Sequence, residues 1–404
     1  MRSRAKMFSL LLFISVLGLV FCPLTASALS LDPTFVSGGV VHTPIKRTHL
    51  KAIAQQPDGK LVVADHVQGA NYTNLAVARY NSDGSLDTSF ATNGIFTLDL
   101  GYSSHAGGGP AIQRDGKIVV AGAANNGSLL LTARLNADGT IDTTYGNFGF
   151  TQTSLAYPTI GVSEIAVQPD QKVVIVGTRT VIGQTSDALI VRYNTDGTLD
   201  QTFSGDGIIT VHFNGSIFSF AQAVEIQPDE KVVVHGGFSK GSADDITVSR
   251  YNPDGSLDTT FGNNGHVIED IVRFDGAADV ALQSDGKMIV TGYLQPADFG
   301  SRTTLVIRYN ADGSRDSSFA NNGVYTNAFQ GNSSGYSIFV QPDGKILIGG
   351  TSLGDSGYTL ALRRLNADGT LDVSFGTNGS FLTNVGEGEE YLLRARLQTM
   401  SDRQ

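Results

Sequence analysis

The chain has 404 residues, of which 41% are hydrophobic and only 16% are charged, and its formal net charge is -10. A negative charge of this size argues against nucleic acid and anionic membranes as partners, and it favours solubility. Forty-eight glycines with few charged residues are typical of an all-β protein that contains many tight turns.

The N-terminal segment has the features of a secretory signal peptide. Three basic residues within the first six positions precede an apolar stretch over 7–22, and Ala26-Ser27-Ala28 matches the small-x-small pattern of a cleavage site. The apolar stretch is shorter than the roughly 18 residues that a membrane anchor needs. We expect residues 1–28 to be removed and 29–404 to form one secreted domain, periplasmic or extracellular, with no membrane span.

Two phrases recur six times along the chain. Gln-Pro-Asp-Gly-Lys before an apolar run is followed, some twenty residues later, by Arg-Tyr-Asn-x-Asp-Gly-Ser-Leu-Asp-x-x-Phe. The Asp of the first phrase lies at Asp58, Asp115, Asp170, Asp229, Asp285 and Asp343, which gives a mean period of 57 residues. A long period of this kind indicates one supersecondary unit that is copied and stacked.

Each period predicts four short strands, which we call a, b, c and d. Strand a alternates apolar and polar residues and ends in Gln, whereas strand b is an unbroken β-branched run that indicates burial on both faces. Asp-Gly between them is a hairpin signal. Gln171 and Glu230 replace that Gly in two repeats, so these two turns should be strained or built differently. Four antiparallel strands repeated radially predict an all-β fold, a β-propeller of four-stranded blades.

The chain ends suggest how the ring closes. Residues 31–43 read as the tail of a repeat, and residues 380–398 read as a strand d followed by the next strand a. The sequence therefore predicts six complete repeats plus terminal strands that form a partial or composite seventh, and it leaves open whether the ring has six or seven blades. Joining the termini in one blade would hide free strand edges.

The two phrases, over residues 31 to 398, closely resemble the bacterial delta-60 repeat, a family of uncharacterised function regarded as β-propeller-like. The resemblance implies an exported bacterial propeller and carries over no catalytic residues. Arg114 and Ser284, which stand where the turn Pro is expected, depart from the pattern, as do Gln171 and Glu230.

Polar and aromatic residues that recur in every repeat are assigned to structure, because a catalytic group is needed only once. An Arg on strand c and an Asp eight residues later are predicted to pair. These arginines are Arg79, Arg134, Arg192, Arg250, Arg308 and Arg364, and the aspartates are Asp87, Asp142, Asp200, Asp258, Asp316 and Asp372. Blade packing is predicted for Phe35, Phe90, Tyr145, Phe203, Phe261, Phe319 and Phe375.

Three further patterns resemble sites of known chemistry, and none predicts a cofactor. The Asn-x-Asp-Gly-x-x-Asp loops, such as 81–87, resemble calcium loops but lack a distal Glu, so turn chemistry explains them and calcium is the alternative. Gly354-Asp355-Ser356-Gly357 resembles a serine protease segment but falls in a variable loop. The histidines His42, His49, His66, His105, His212, His235 and His266 show no metal-ligand spacing.

Repetition fails in the b-c and d-a connections, which should lie together on one face of the disc. We call this the variable face, and the opposite face, with the a-b and c-d turns, the constant face. Variable loops on a rigid scaffold commonly carry binding. The predicted binding residues are Tyr72, Tyr102, Tyr157, Phe218, Tyr293, Phe299, Phe329 and Tyr391.

The favoured interpretation is a secreted, non-enzymatic module that recognises a glycan, peptide or protein partner through the variable face. One alternative is an enzyme of the lactonase, lyase or hydrolase type with a site at the central channel, an analogy with other propellers. The other alternative is a structural protein of the cell surface.

Overall fold

The structure is a computed structural model, and all of its regular secondary structure in the described residues is β-strand. The described residues are 8–14, 17–20, 35–36, 41, 52–155, 158–181, 185–241, 243–271, 274–296, 300–329, 331–354, 357–383 and 392–399. This part of the chain has no helix capable of crossing a membrane. The all-β prediction is therefore confirmed.

The strands follow the predicted a-b-c-d order. Near the N-terminus lie β1 (Phe8–Ile14) and β2 (Leu17–Val20). Blade one contains β3 (Ala52–Gln55), β4 (Leu61–Gln68), β5 (Thr73–Tyr80) and β6 (Ile95–Leu98). Blade two contains β7 (Ser104–Ile112), β8 (Ile118–Ala124), β9 (Leu129–Leu135) and β10 (Phe150–Ser154). Blade three contains β11 (Pro158–Val167), β12 (Val173–Val181), β13 (Ser186–Tyr193) and β14 (Ile208–Val211). Blade four contains β15 (Phe218–Ile226), β16 (Val232–Ser239), β17 (Asp244–Tyr251) and β18 (His266–Glu269). Blade five contains β19 (Phe274–Leu282), β20 (Met288–Gln295), β21 (Thr303–Tyr309) and β22 (Val324–Asn327). Blade six contains β23 (Asn332–Val340), β24 (Ile346–Gly354), β25 (Gly357–Leu365) and β26 (Ser380–Thr383), and β27 (Leu392–Thr399) follows.

Each blade is an antiparallel meander in which strand b is covered on both faces. Val62 and Val63 on β4 face opposite sides, and both are fully buried. Val62 belongs to a core shared with blade two, whereas Val63 packs with Phe35 and Val41. The apolar layers therefore lie between neighbouring blades, as the β-branched runs predict.

The a-b turns have the predicted hairpin geometry. In blade one the Gln56 N–H donates to the Lys60 carbonyl at 2.8 Å, Asp58 Oδ1 accepts from the Lys60 N–H at 3.1 Å, and Gly59 has a φ of 85°. Gln171 and Glu230 take the same left-handed conformation, with φ of 70° and 66°. Since L-residues are disfavoured there, these two turns are strained, as predicted.

In each of blades one to five, an arginine joins its own blade to the next one. Arg192 Nε donates to Asp200 at 2.7 Å, its guanidinium lies 4.3 Å from the centre of the Phe203 ring, and its Nη1 donates to the Pro253 carbonyl of blade four at 2.6 Å. Lys172 Nζ completes the cluster at 3.0 Å from Asp200. The equivalent arginine contacts in other blades are Arg79 to Ala137, Arg134 to Thr195, Arg250 to Ala311 and Arg308 to Ala367.

The predicted packing of the recurrent aromatic residues is also seen between blades. Phe90 of blade one lies against Gly139 of blade two so closely that a Cβ on this glycine would come within 2.7 Å of the ring. Beside it, the Ala91 N–H donates to the Asp138 carbonyl at 2.8 Å. Only glycine, with no Cβ and with φ of 88° at this position, allows this approach.

Residues from both ends of the chain take part in closing the ring. β27 contacts β23 of blade six and β3 of blade one. Phe35 lies against Gly84 of blade one, and the Val36 N–H donates to the Asp83 carbonyl at 2.9 Å, which repeats the contact between complete blades. The ring therefore has a composite seventh position. β27 also pairs with β1, and β1 pairs with β2. This three-stranded sheet therefore forms only while residues 1–28 remain part of the chain.

We predict that Gly139→Ala destabilises the protein much more than Gly116→Ala. Both glycines have positive φ, but a Cβ on Gly116 meets its nearest atom at an ordinary 3.5 Å. Backbone strain alone should cost about 1 kcal/mol at Gly116, whereas strain plus overpacking should cost about 3 kcal/mol at Gly139. Urea titrations compare the two free energies of unfolding, and equal losses would contradict the role of the ring contact.

We predict acid-induced loss of stability through the buried aspartates. Burial alone would raise the pKa of Asp200, but hydrogen bonds from Thr202 and Lys172 and the charge of Arg192 outweigh it and lower this pKa to about 2. Because the folded pKa lies below the unfolded value of about 3.9, the stabilisation is present above pH 4 and is lost as the pH falls toward 2.

The measurement is a series of urea titrations from pH 7 to pH 2. Asp200→Asn should destabilise by about 3 kcal/mol at neutral pH and flatten the acid dependence, since it leaves a buried cation without its carboxylate. Asp170→Asn, at an exposed position of the same blade, is the matched control. An acid dependence unchanged in Asp200→Asn would contradict the assignment.

Candidate functional site

The structure places the predicted binding residues in different environments. Tyr72 and Phe218 are exposed. Tyr102 is partly buried and its hydroxyl bonds to Gln152 Nε2. Arg302 lies over the Tyr293 ring at 4.2 Å and Arg363 over the Phe329 ring at 4.5 Å, so both rings already pack against a cation of the protein. The remaining predicted residues, Tyr157, Phe299 and Tyr391, lie outside the described residues.

The exposure of Phe218 extends to a neighbour that the sequence analysis did not select. Ile217 is 56% exposed and Phe218 is 41% exposed, at the point where the d-a connection of blade three enters β15. The Ile217 N–H donates to the Ser239 carbonyl at 2.8 Å, and Phe218 pairs with Ser239 across the sheet. The backbone under these side chains is thus fixed, and two large apolar groups are held toward solvent. We call Ile217 and Phe218 the apolar pair.

The loop before the apolar pair brings together an aspartate, a histidine and a serine. His212 Nδ1 lies 3.0 Å from Asp187 Oδ1, and His212 Nε2 lies 3.5 Å from Ser216 Oγ. This order of atoms is that of a Ser-His-Asp triad. Ser216 is buried, however, and its Oγ lies 2.9 Å from Ser219 Oγ, so the hydroxyl also ties the loop to β15.

The other described histidines are buried or contact neighbouring side chains. His235 is fully buried, and burial lowers its pKa to about 4, which keeps the ring neutral near pH 7. His266 bonds to Ser249 at 2.7 Å, and His66 lies 2.9 Å from Asp65 with its ring 6.2 Å from that of His105. Within the described residues, no group of three or more possible ligands could hold a metal ion. His42, His49, Asp355 and Ser356 lie outside them.

In the loops that resemble calcium sites, the aspartate oxygens accept hydrogen bonds from residues of the same turn. Asp83 Oδ1 accepts hydrogen bonds from the Ser85 N–H at 2.9 Å and from Ser85 Oγ at 2.6 Å. Asp138, Asp196, Asp254, Asp312 and Asp368 repeat this arrangement with the Ser or Thr two residues on. These contacts lower the pKa of Asp83, with the Ser85 hydroxyl as the largest cause. The geometry is that of an Asx turn.

Comparisons with known proteins bear on the fold and the family. No curated protein matches the chain. Among solved structures, the chain is similar to the polysaccharide lyase PL25-ulvanlyase, at 11% identity and a TM-score of 0.50, over 78% of this chain and 80% of that one. A Drosophila semaphorin 2a structure matches at 8% identity and a TM-score of 0.44, over 90% of this chain and 75% of that one. The identity to the lyase is so low that the likeness shows the fold alone.

The family comparison covers the repeats themselves. The model described as "Domain of unknown function (DUF5122) beta-propeller" matches residues 56–90, 113–145, 168–203, 227–261, 283–319 and 341–375. Each segment runs from the Gln of the first phrase to the aromatic residue of the second, and together they make up more than half of the chain. The protein therefore belongs to this β-propeller family.

Proposed function

We propose that the protein is a secreted, non-enzymatic binding module, built of repeats of the delta-60 type, that recognises a partner through its variable face. The observation that carries the proposal is the apolar pair. Large apolar side chains that stay exposed on a fixed backbone lose little conformational entropy when a partner covers them. Such preformed anchors suit the small number of residues that supply most of the binding energy at an interface.

The chemistry of the pair favours a peptide or protein partner. Phe218 offers a ring face that a sugar could use, but Ile217 beside it offers a branched aliphatic group that suits an apolar pocket. The formal charge of the chain is negative, which favours a partner whose contact surface is neutral or basic. A glycan remains the alternative among binding partners, and the experiment below separates the two.

We predict that changing Ile217→Ser together with Phe218→Ser weakens partner binding at least about tenfold, as expected for loss of a hot spot. The matched control changes Phe148→Ser and Val373→Ser. These side chains are 77% and 69% exposed and lie in c-d connections on the constant face. The measurement is a peptide array and a glycan array probed with labelled parent protein and both variants.

The outcomes distinguish the interpretations. Binding lost only in the Ile217 and Phe218 variant supports the proposal, and the array that responds identifies the class of partner. Binding lost only in the Phe148 and Val373 variant would place the site on the constant face. If the parent binds neither array, a structural role at the cell surface is favoured instead.

The Ser216–His212–Asp187 arrangement favours a second candidate, a hydrolase. In that reaction Ser216 Oγ would attack an ester carbonyl and give its proton to His212 Nε2, which would pass it to the leaving alcohol, and water would then release the acyl group. The burial of Ser216 and its contact with Ser219 favour a loop-stabilising role. The backbone N–H of Ser216 donates to the Phe213 carbonyl at 2.9 Å, so it already has a partner and does not point to an oxyanion hole.

We predict that a fluorophosphonate probe does not label the protein, since the Ser216 hydroxyl is buried and shared with Ser219. Labelling is measured by mass spectrometry on the parent, on Ser216→Ala, on His212→Ala and on the matched control Ser219→Ala. Labelling of the parent that Ser216→Ala and His212→Ala remove, and that Ser219→Ala retains, would overturn the non-enzymatic proposal in favour of the hydrolase.

A further inference from the structure

A groove with a volume of about 410 Å³ lies on the constant face, where the inner strands of blades two, three and four end. Ile112, Val167 and Ile226, the last residues of β7, β11 and β15, form three of its walls. This groove is separate from the variable face and from the apolar pair.

The constant face departs from its own repeat at this groove. Arg114 replaces the turn Pro of blade two, and Gln171 replaces the turn Gly of blade three. Both residues line the groove. The Arg114 N–H donates to Gln171 Oε1 at 2.7 Å, a bond that Pro could not make. Gln113 Nε2 donates to the Gln171 carbonyl at 2.9 Å. The two departures, Arg114 and Gln171, are therefore joined to each other across adjacent blades.

The next turn along the ring departs as well. Glu230 of blade four replaces Gly, and its carbonyl accepts from Gln168 Nε2 at 3.4 Å. Gln171 and Glu230 both hold positive φ values that glycine adopts in the equivalent turns of the other four blades. Strained backbone that persists where a less costly residue is available is concentrated at functional sites.

The groove also carries a cation. The Arg114 side chain is exposed, and within the described part of the chain its guanidinium has no ion pair. Gln227 lines the groove as well, but its Oε1 is buried, and the equivalent atoms of Gln283 and Gln341, outside the groove, are unpaired in the same way. The groove thus offers a cation and aliphatic walls.

We propose that this groove binds an apolar residue with a free carboxylate, either as a small molecule such as an N-acylated amino acid or as the C-terminal residue of a peptide. Arg114 pairs with the carboxylate, since guanidinium and carboxylate match in geometry. Ile112, Val167 and Ile226 cover the apolar side chain. The paired bond between Arg114 and Gln171 sets the position of the Arg114 backbone at the groove.

The test is isothermal titration calorimetry with four probes: N-acetyl-leucine, N-acetyl-leucine amide, acetyl-Gly-Gly-Leu with a free carboxylate, and its C-terminal amide. We expect the free carboxylates to bind at least tenfold more tightly than the amides. Preference for N-acetyl-leucine or for the tripeptide identifies the source of the ligand. No heat from any probe at millimolar concentration, or equal affinity for acid and amide, would overturn the proposal.

Variants locate the site. Arg114→Ser introduces the residue found at the equivalent position of blade five, keeps the backbone N–H, and should remove the preference for carboxylate over amide. Ile226→Ser should weaken binding at least tenfold, whereas Leu282→Ser, its counterpart on β19 outside the groove, should not. If a variant fails to fold, the acid and amide comparison on the parent still decides.

The Ile217 and Phe218 variant should bind these probes like the parent, so this inference and the proposed function can fail independently. A parent that binds the carboxylates but loses them in the Ile217 and Phe218 variant would show that the ligand occupies the variable face, and it would overturn the assignment to the groove.

Discussion

The structure depends on one arginine in each of blades one to five that is buried in a place where it cannot remain unpaired. A guanidinium removed from water needs hydrogen bonds for its donors and a countercharge. In blade three, Asp200 provides the charge, the Phe203 ring covers the guanidinium of Arg192, and the Pro253 carbonyl of the next blade accepts a hydrogen bond from its Nη1. Because the last acceptor belongs to a neighbour, the arginine is satisfied only when two blades stand in the correct relation. Glycine at the neighbouring turn, such as Gly255, permits the required approach.

This constraint also explains why sequence variation is concentrated on the variable face. The contacts of the arginine clusters lie at the a-b and c-d turns, so the b-c and d-a connections do not take part in them. Some contacts of those connections are local, such as the Ser216–Ser219 pair, and others cross to the next blade through the backbone, such as the Gly127 carbonyl, which accepts from the Ile160 N–H. Because these contacts do not require the repeated side chains, the loop sequences can vary, which is the condition under which a rigid scaffold acquires a binding surface.

The repeat made the blades, the hairpins, the Arg and Asp pairs and the aromatic packing predictable, because a contact that recurs in every blade leaves the same spacing each time. The closing Lys of the first phrase was not predicted as part of the cluster, although Lys172 reaches Asp200. The local sites were less predictable. Ile217 is a single aliphatic residue with no pattern, and Asp187 lies 25 residues from His212. Arg114 and Gln171 were visible as departures, but only the structure shows that their 57-residue separation places them in contact.

Because the fold is repeated, the a-b turns at Gln171 and Glu230 can be compared directly with the equivalent turns of the other blades. Four blades show that glycine suffices for the a-b turn, so the positive φ of Gln171 and of Glu230 is not required by the hairpin. At Gln171 the side chain returns a bond to the preceding blade, which offsets part of the strain, yet the blades with glycine close without any such bond. Non-glycine residues also hold positive φ at the c-d turns of alternate blades, at Ala91, Ser204 and Ala320, so backbone strain alone does not single out a site. What adds weight at Gln171 is its bond to Arg114 beside the groove, and a demand on the shape of this groove is the reason that we propose for keeping a costly backbone there.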